Sequence, residues 1–491
     1  MRVLLINPPP YQRVDQYDTP DFTRLGLAYL AGQLLTNPGC EVKIVDAKFE
    51  RLDDHQVMDA VRRFQPDIVG LTAFTNEIKP AARIAGQVKR LSRDIPTVIG
   101  GVHVSALPRE TMVEFPEFDY GVYGEGEIIF QELCYALHLG TSLADIDGLI
   151  FREEDRIVIT GERERIADQD EIPFPAWDLL PPAERYLFMT QRGCPFMCNF
   201  CMNPNGRIVR KRSVEKVLEE LVYIVEKFEP ERMYICDEIF TSEKERTHAI
   251  LDGMIYHGIN RKLAWFAQTH VNLVDREMFR KMKEAGCASC GLGIETGDPE
   301  IMKNMKKGIT IDKVIGARKM ADDVGLPIES FMIIGHPNET WDTAIRSIDL
   351  AVKINAHTPL FGVMVPYPGT QVAELARKGE GGYRLISSDW NDYNKQIGHA
   401  MEFENLSRRQ LEFLQMIGYF KVFLWNFRFR ELARFILQYR NEGWAVVKKI
   451  LLGLKPKPIS VESSSEPARI SPYFQSLDAV SEAVPTQEHT S

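Results

Sequence analysis

The sequence predicts an α/β protein made of two consecutive series of buried strands and amphipathic helices, followed by a helical region. Three observations carry this. Residues 1–140 alternate short apolar runs with amphipathic stretches, the pattern of a doubly wound parallel sheet. Residues 186–380 repeat a strand-and-helix alternation. Between them, residues 141–185 carry Ile172-Pro-Phe-Pro-Ala-Trp-Asp178 and Pro181-Pro182, and their proline density and mixed charge read as an extended linker between domains.

In the first series the candidate strands are Val3–Ile6, Val42–Val45, Asp67–Leu71, Thr97–Ile99 and Tyr120–Tyr123. These suffice for a Rossmann-like (flavodoxin-like) layer, whose ligand is expected at the carboxyl ends of the strands. Asn7, Asp46, Thr72, the run Gly100-Gly101-Val-His103 and the run Gly124-Glu125-Gly126-Glu127 stand at those ends. Glycines there let the backbone approach a large planar ligand closely. Taken singly, each run is also an ordinary turn.

In the second series the candidate strands are Tyr186–Thr190, Met233–Cys236, Ala264–Gln268, Cys290–Ile294, Ser330–Ile334 and Phe361–Val365. Between the first two, Val214, Val217, Leu218, Leu221, Val222 and Val225 recur at helical spacing. Just after the first strand lies Gln191-Arg-Gly-Cys194-Pro-Phe-Met-Cys198-Asn-Phe-Cys201. Thiolates at this C-x3-C-x2-C spacing can hold three irons of a 4Fe–4S cluster and leave the fourth iron open. The same spacing also fits one side of a helix, but Gly193 and Pro195 punctuate the segment and favour a loop. A structural zinc site is the minor alternative and would want a fourth ligand at comparable spacing.

This signature, preceded by an apolar strand, resembles that of the radical S-adenosylmethionine (radical SAM) enzymes, and the six β/α units resemble their partial (β/α)6 barrel. The resemblance implies that the open iron chelates SAM and that one-electron cleavage of SAM gives a 5′-deoxyadenosyl radical. It also assigns residues at the barrel mouth. Of the acids after the second strand, Glu238 is expected at the SAM amino group, with Asp237 second. Glu295, in Gly293-Ile-Glu295-Thr-Gly297, is expected at the ribose. Ile333 and Gly335 are expected at the adenine, although Phe331 replaces the family's first glycine there and Glu339 falls one residue late. His270 stands where relatives often carry arginine, which puts a SAM-carboxylate contact at that position in doubt. Cys287 and Cys290 read as core cysteines, with a second metal site as the minor alternative, and Cys236 reads as core with a substrate role left open beside Asp237.

The first domain resembles the cobalamin-binding domain that precedes the barrel in one large subfamily, on the Gly100-Gly101-x-His103 turn, the Gly124–Glu127 segment and the whole arrangement. Asn7, Thr72, Gly100, Gly101, His103, Gly124, Glu125 and Gly126 are the implied cobalamin contacts. Lys48 stands where mutases with this domain carry the axial histidine, so the cobalamin is expected base-off without a histidine to cobalt, and His103 is expected in a turn or propionamide-contacting role. The implied cofactors are a 4Fe–4S cluster, SAM and cobalamin. The implied reaction is methyl transfer from methylcobalamin to an unactivated carbon. Porphyrin-cyclase-like oxidative cyclisation or rearrangement is the alternative with the same cofactors, and a non-catalytic cobalamin sensor is a third reading. The expected partners are a small-molecule, lipid or tetrapyrrole substrate and an electron donor such as flavodoxin or ferredoxin.

Composition narrows the setting. A formal net charge of −10 over 491 residues offers no net basic field for nucleic acid, and nucleic acid is not an expected partner. Eight cysteines, three of them in one motif, suit a reducing cytoplasm better than a disulfide framework. Residues 381–455 read as a C-terminal helical region in which Leu411–Tyr439 is rich in aromatics and arginines, and Lys421 interrupts any spanning segment. Its aromatics are expected to pack on the barrel and cap the active-site mouth; peripheral membrane contact through a basic amphipathic helix is the alternative. Residues 456–491, rich in Ser, Glu and Pro, are expected to be disordered.

Overall fold

The computed structural model describes residues 1–10, 22–154, 156–394 and 400–438. Strands β1 (Arg2–Asn7), β2 (Glu41–Asp46), β3 (Ile68–Thr72), β4 (Thr97–Gly100) and β5 (Tyr120–Val122) pair in parallel in the order β2-β1-β3-β4-β5. This is the flavodoxin-like order, with its topological switch between β1 and β3. β1 shows why the sheet is buried on both sides: Val3 and Leu5 join one apolar cluster, Leu4 and Ile6 the other, and all four are fully buried. The crossover helix Asp54–Phe64 starts on a capping box between Asp53 and Gln56 and stops where Gln65 turns left-handed at φ 48°.

Residues 141–185 do more than cross between domains. β6 (Leu149–Glu153) and β7 (Arg156–Ile159) extend the sheet beyond β5 as an antiparallel hairpin, because Leu149, Ile150 and Phe151 are buried against it. The rest of the segment is stitched to both sides. Ala176 N–H donates to the Ala28 carbonyl at 2.9 Å, and Trp177 Nε1 donates to Glu220 at 2.9 Å.

β8 (Arg185–Phe188) begins the second domain, followed by the two-residue strands β9 (Gln191–Arg192) and β10 (Arg210–Lys211), which pair with each other. β11 (Arg232–Ile235), β12 (Ala264–Thr269), β13 (Cys287–Glu295), β14 (Ile328–Ile334) and β15 (Thr358–Val363) continue from β8 as a six-stranded parallel sheet, β8-β11-β12-β13-β14-β15. Intervening helices start on side-chain caps at Ser213, Asp275, Thr310 and Thr340. Cys287 and Cys290 are buried in β13, as core cysteines.

After β16 (Tyr383–Leu385) and β17 (Met401–Phe403), an antiparallel pair, come helices Arg408–Trp425 and Phe429–Gln438. The first helix packs on the barrel. It covers the edge strand β15, where Gln415 Nε2 donates to the Phe361 carbonyl at 2.7 Å and Phe361 N–H donates to the Tyr419 hydroxyl at 3.2 Å. Gly418 is required for that approach, since a Cβ there would lie 2.9 Å from the Phe361 ring. Trp390 and Tyr393 instead pack into the apolar cluster of the first domain. No helix of the described residues is long and apolar enough to cross a membrane. The expected disordered tail lies outside the described residues.

Candidate active site

The cysteine motif is a loop, as the glycine and proline require. Gly193 takes φ 102°, and a Cβ there would lie 2.2 Å from the Ile208 carbonyl oxygen. Cys194 N–H donates to the Gly206 carbonyl (3.0 Å), Asn203 Nδ2 to the Cys194 carbonyl (2.6 Å) and Cys201 N–H to the Cys198 carbonyl (3.2 Å). Burial pushes all three thiols up, Cys198 to about 11, while N–H groups of Phe196 and Asn203 act the other way at Cys194 and Cys201. Among the described residues, no three His, Cys, Asp or Glu side chains converge to hold a single metal ion. Three thiols spread along one loop, with backbone N–H groups turned toward two of them, are a donor set that could place one thiolate on each of three irons of a cluster.

The two acids after β11 divide their roles. Asp237 is fully buried and accepts from Thr190 N–H (2.7 Å), Thr190 Oγ1 (2.6 Å) and Gln191 N–H (3.3 Å), so it pins the end of β8 to β11. Burial pushes its carboxyl up to about 6 against those hydrogen bonds. Glu238 is the acid that meets the cysteine loop, accepting from Gly193 N–H at 3.1 Å and Asn205 Nδ2 at 2.5 Å.

At the end of β13, Glu295 is buried with φ 70° and is ion-paired with Lys307, itself 8% exposed. Gly293 makes room: a Cβ there would lie 2.2 Å from Lys307 Nζ and 2.4 Å from Glu295 Oε1. His270 Nδ1 accepts from Asn272 N–H (3.2 Å), which leaves Nε2 as the donor to the Lys307 carbonyl at 3.1 Å. The ring stacks on Phe196 of the cysteine loop, centroids 3.6 Å apart and 7° from parallel, and burial holds it neutral, down to about 4. At β14, Ile333 is half-buried on the same strand face as Phe331 and Glu329. Gly335 takes φ 101°, where a Cβ would meet the Phe403 ring at 2.5 Å. Glu339 accepts from the N–H groups of Gly335 and His336, and burial pushes it up to about 7.

On the first domain, Thr72, Gly100 and Gly101 lie together. Gly101 has φ 103°, and a Cβ there would come within 2.8 Å of the Ala73 carbonyl oxygen and 3.0 Å of Thr72 Oγ1. Open space lies beside Gly124, and Gly126 starts the helix Gly126–Leu139. His103 is 1% exposed, with its ring edge-on to Trp390 at 4.9 Å, no hydrogen bond to Nδ1 among the described residues, and a pKa pushed by burial down to about 3. Asn7 is buried in a network: its Nδ2 donates to Asp46 at 2.6 Å and its Oδ1 accepts from Arg24 at 3.0 Å. Lys48 is ion-paired with Glu77 at 2.9 Å. Burial opposes the Glu77 charge, but Arg24 and Lys48 outweigh it and hold the carboxyl below its usual range.

Glu125, one of the expected cobalamin contacts, lies in a buried ion cluster. Both its oxygens are spent on Arg210 (2.6 and 2.8 Å) and Arg192 (3.0 Å), and Arg192 also reaches Glu127 at 2.5 Å. Buried carboxylates face guanidinium groups here because neither could stay charged alone. Arg192, Lys307 and Trp390 escape a reading of the sequence, since a lone arginine, a Lys-Lys pair before glycine and a tryptophan in a polar run carry no spacing signal. Helix caps and glycine turns were the available clues.

Two carboxyl edges, each of the kind that holds a ligand, therefore meet across one cysteine loop, which is the plan of a radical SAM enzyme with a cobalamin domain. Comparison with known proteins agrees. The B12 binding domain family matches residues 18–134 and the Radical SAM superfamily matches residues 188–351. An uncharacterized methyltransferase of Pyrococcus horikoshii is 32% identical over 92% of this chain and 98% of its own length. The anaerobic magnesium-protoporphyrin IX monomethyl ester cyclase of Rubrivivax gelatinosus is 28% identical over 86% of this chain and 78% of its own. In fold, the chain resembles the radical SAM methyltransferase TsrM of Kitasatospora setae (TM-score 0.66, 21% identity, covering 81% of this chain and 80% of TsrM). It also resembles the cobalamin-dependent enzyme OxsB (TM-score 0.70, 16% identity, covering 98% of this chain and 80% of OxsB). The chain belongs to the cobalamin-dependent radical SAM methyltransferase family, whose cofactors are cobalamin, a 4Fe–4S cluster and SAM.

Proposed function

We propose that this enzyme transfers a methyl group to an unactivated carbon of a small molecule, a lipid or a tetrapyrrole. The observation that carries this reading is the meeting of the two cofactor edges at Gly369. A Cβ there would lie 2.9 Å from Met202 Cγ, next to Cys201, and 3.6 Å from Ala106 Cβ, on the helix that carries His103. Cys194, Cys198 and Cys201 hold the cluster, and Thr72, Gly100, Gly101, Gly124 and Gly126 lie against the corrin. When bound, the three cofactors supply radical formation and the methyl group. Glu238 receives the SAM amino group beside the cysteine loop, Glu295 the ribose hydroxyls, and Ile333 and Gly335 the adenine. The dense packing of Trp390 and Tyr393 on the first domain helps exclude water. Reducing equivalents come from a flavodoxin or ferredoxin. The helix Phe429–Gln438 exposes Phe429, Ile436 and Leu437, which supports peripheral membrane contact.

The test needs no substrate. Reconstituted protein incubated with SAM, a reductant and cobalamin forms S-adenosylhomocysteine as cobalamin takes the SAM methyl group, and forms 5′-deoxyadenosine by radical cleavage. Cyclisation consumes no methyl group, so 5′-deoxyadenosine without cobalamin-dependent S-adenosylhomocysteine assigns the chain to the cyclase-like alternative.

A further inference from the structure

We propose that the inner face of the barrel sheet binds a substrate that is a ring-bearing cation, with its charged nitrogen on Glu329 and its rings against Tyr234, Phe266 and Phe331. This deepens the methyl-transfer reading and rests on the barrel being where the substrate is held. Along β11, β12 and β14, buried and more open positions alternate. Met233, Trp265 and Met332 belong to the main apolar core, on the side of the helices. Tyr234, Phe266 and Phe331 stand on the other face, are half-buried, and belong to neither apolar cluster. Their rings form one row. Tyr234 and Phe266 stack with centroids 4.7 Å apart and 21° from parallel. A Cβ at Gly291, on the strand between β12 and β14, would lie 2.7 Å from the Phe331 ring and 3.3 Å from the Phe266 ring, so the glycine lets the row continue to β14. At the other end Phe22, from the first domain, reaches Tyr234 with centroids 6.0 Å apart, so the row begins where the two domains meet.

Glu329 stands on the same face, two residues before Phe331 on β14, and is half-buried. Among the described residues its one hydrogen bond comes from Ser289 Oγ at 2.9 Å, and it is in no ion pair. Burial pushes its carboxyl up, and only the Ser289 hydroxyl opposes that. Burial, Cys236 and then the Glu329 charge push the Tyr234 hydroxyl up, so the acid and the aromatic row share one space. A carboxylate drawn out of water without a counter-charge is unfavourable. Glu125 and Glu295, also buried, are each matched by arginine or lysine. An acid kept only to tie β13 to β14 needs no charge, because the strand ladder already joins them and a glutamine would accept the same hydrogen bond from Ser289. A cationic ligand supplies the missing charge, and the faces of the aromatic rings attract both its charge and its own rings.

The experiment compares naphthylethylamine, an aromatic cation, with naphthylethanol, which has the same rings and no charge. Equilibrium dialysis uses full-length reconstituted protein with saturating SAM and no reductant, so that the site proposed at Glu238 is filled and nothing turns over. Wild type is expected to favour the amine by roughly 10-fold or more, the worth of a charge-assisted hydrogen bond. Glu329→Gln is expected to bind both probes alike, Ser289→Ala to keep the preference, and Phe266→Leu to weaken both probes. Wild-type protein that binds the two probes equally, or binds neither, overturns the assignment whatever the variants do. A preference that survives in Glu329→Gln overturns it too and leaves Glu329 as a tie to Ser289. The same preparation is assayed for S-adenosylhomocysteine and 5′-deoxyadenosine: both products without an amine preference overturn this inference alone, whereas the preference without either product supports the site and sinks the methyl-transfer reading instead.

Discussion

Arg192 bridges Glu125 at 3.0 Å and Glu127 at 2.5 Å, and the residue after it is the glycine that opens the cysteine loop. The first domain thus holds the loop of the second through a buried ion cluster that also includes Arg210. Arg192 lies over the Tyr29 ring as well, its guanidinium carbon 5.1 Å from the centroid.

Removing one member of such a cluster strands the opposite charge in low dielectric. Arg192→Met is expected to destabilise the protein by about 3–5 kcal/mol, read from the denaturant midpoint, whereas an exposed pair such as Lys216–Glu219 is worth roughly 0–1 kcal/mol. Equal effects at the two sites would show that the cluster is solvated.

The proposed cluster takes three thiolates from the cysteine loop, so anaerobically reconstituted wild type is expected to bind about four irons per chain. Cys198→Ala is expected to lose 5′-deoxyadenosine formation while the first domain remains folded by circular dichroism. Undiminished 5′-deoxyadenosine from this variant contradicts the assignment of the loop.

The acids after β11 separate stability from ligand binding. Glu238→Gln is expected to weaken SAM binding by about 10- to 150-fold with little loss of stability, since it removes the charge-assisted contact proposed to the SAM ammonium. Asp237→Asn leaves a donor amide facing the Thr190 and Gln191 N–H groups and is expected to cost about 1–3 kcal/mol of stability with a smaller change in SAM affinity. Calorimetry and equilibrium dialysis on both variants decide; the reverse pattern would exchange their roles.

His103 titrates near 6.5 when unfolded and is pushed by burial down to about 3 when folded. The unfolded chain therefore binds the proton first as pH falls, so stability is fully present above the unfolded value and is lost progressively below it. Between about pH 7.5 and about pH 5.5 the wild type is expected to lose roughly 1.4 kcal/mol more than His103→Phe, which keeps the contact with Trp390 and has nothing to titrate. Urea melts at the two pH values measure this. Parallel losses in both proteins would mean that His103 is solvated.

Both strand series, their parallel sense and the cysteine loop were legible in the sequence because each depends on local information. Apolar runs such as Val3–Ile6 and Met233–Cys236 are short, bounded by turn residues and followed by amphipathic helices, and Gly193 with Pro195 favours a loop through the cysteines. The hairpin at 149–159 was not legible, since its two short strands sit in a segment whose most visible feature is the proline run farther along. Nor could the sequence say which partners the acids of a motif would take. Glu125 and Glu127 are neighbours of glycines in a turn that resembles a corrin contact, yet their charges are claimed by Arg192 and Arg210, residues from another domain. Asp237 and Glu238 are adjacent, and the β11 backbone alone sends the first toward Thr190 and the second toward Gly193. Lys307 is placed by a left-handed turn, a propping histidine and a missing Cβ on a strand some fourteen residues earlier. Periodicity and turn chemistry act over a few residues and can be read along the chain. The pairing of buried charges depends on which segments meet in space, because a charge removed from water takes whatever opposite charge the fold brings within reach.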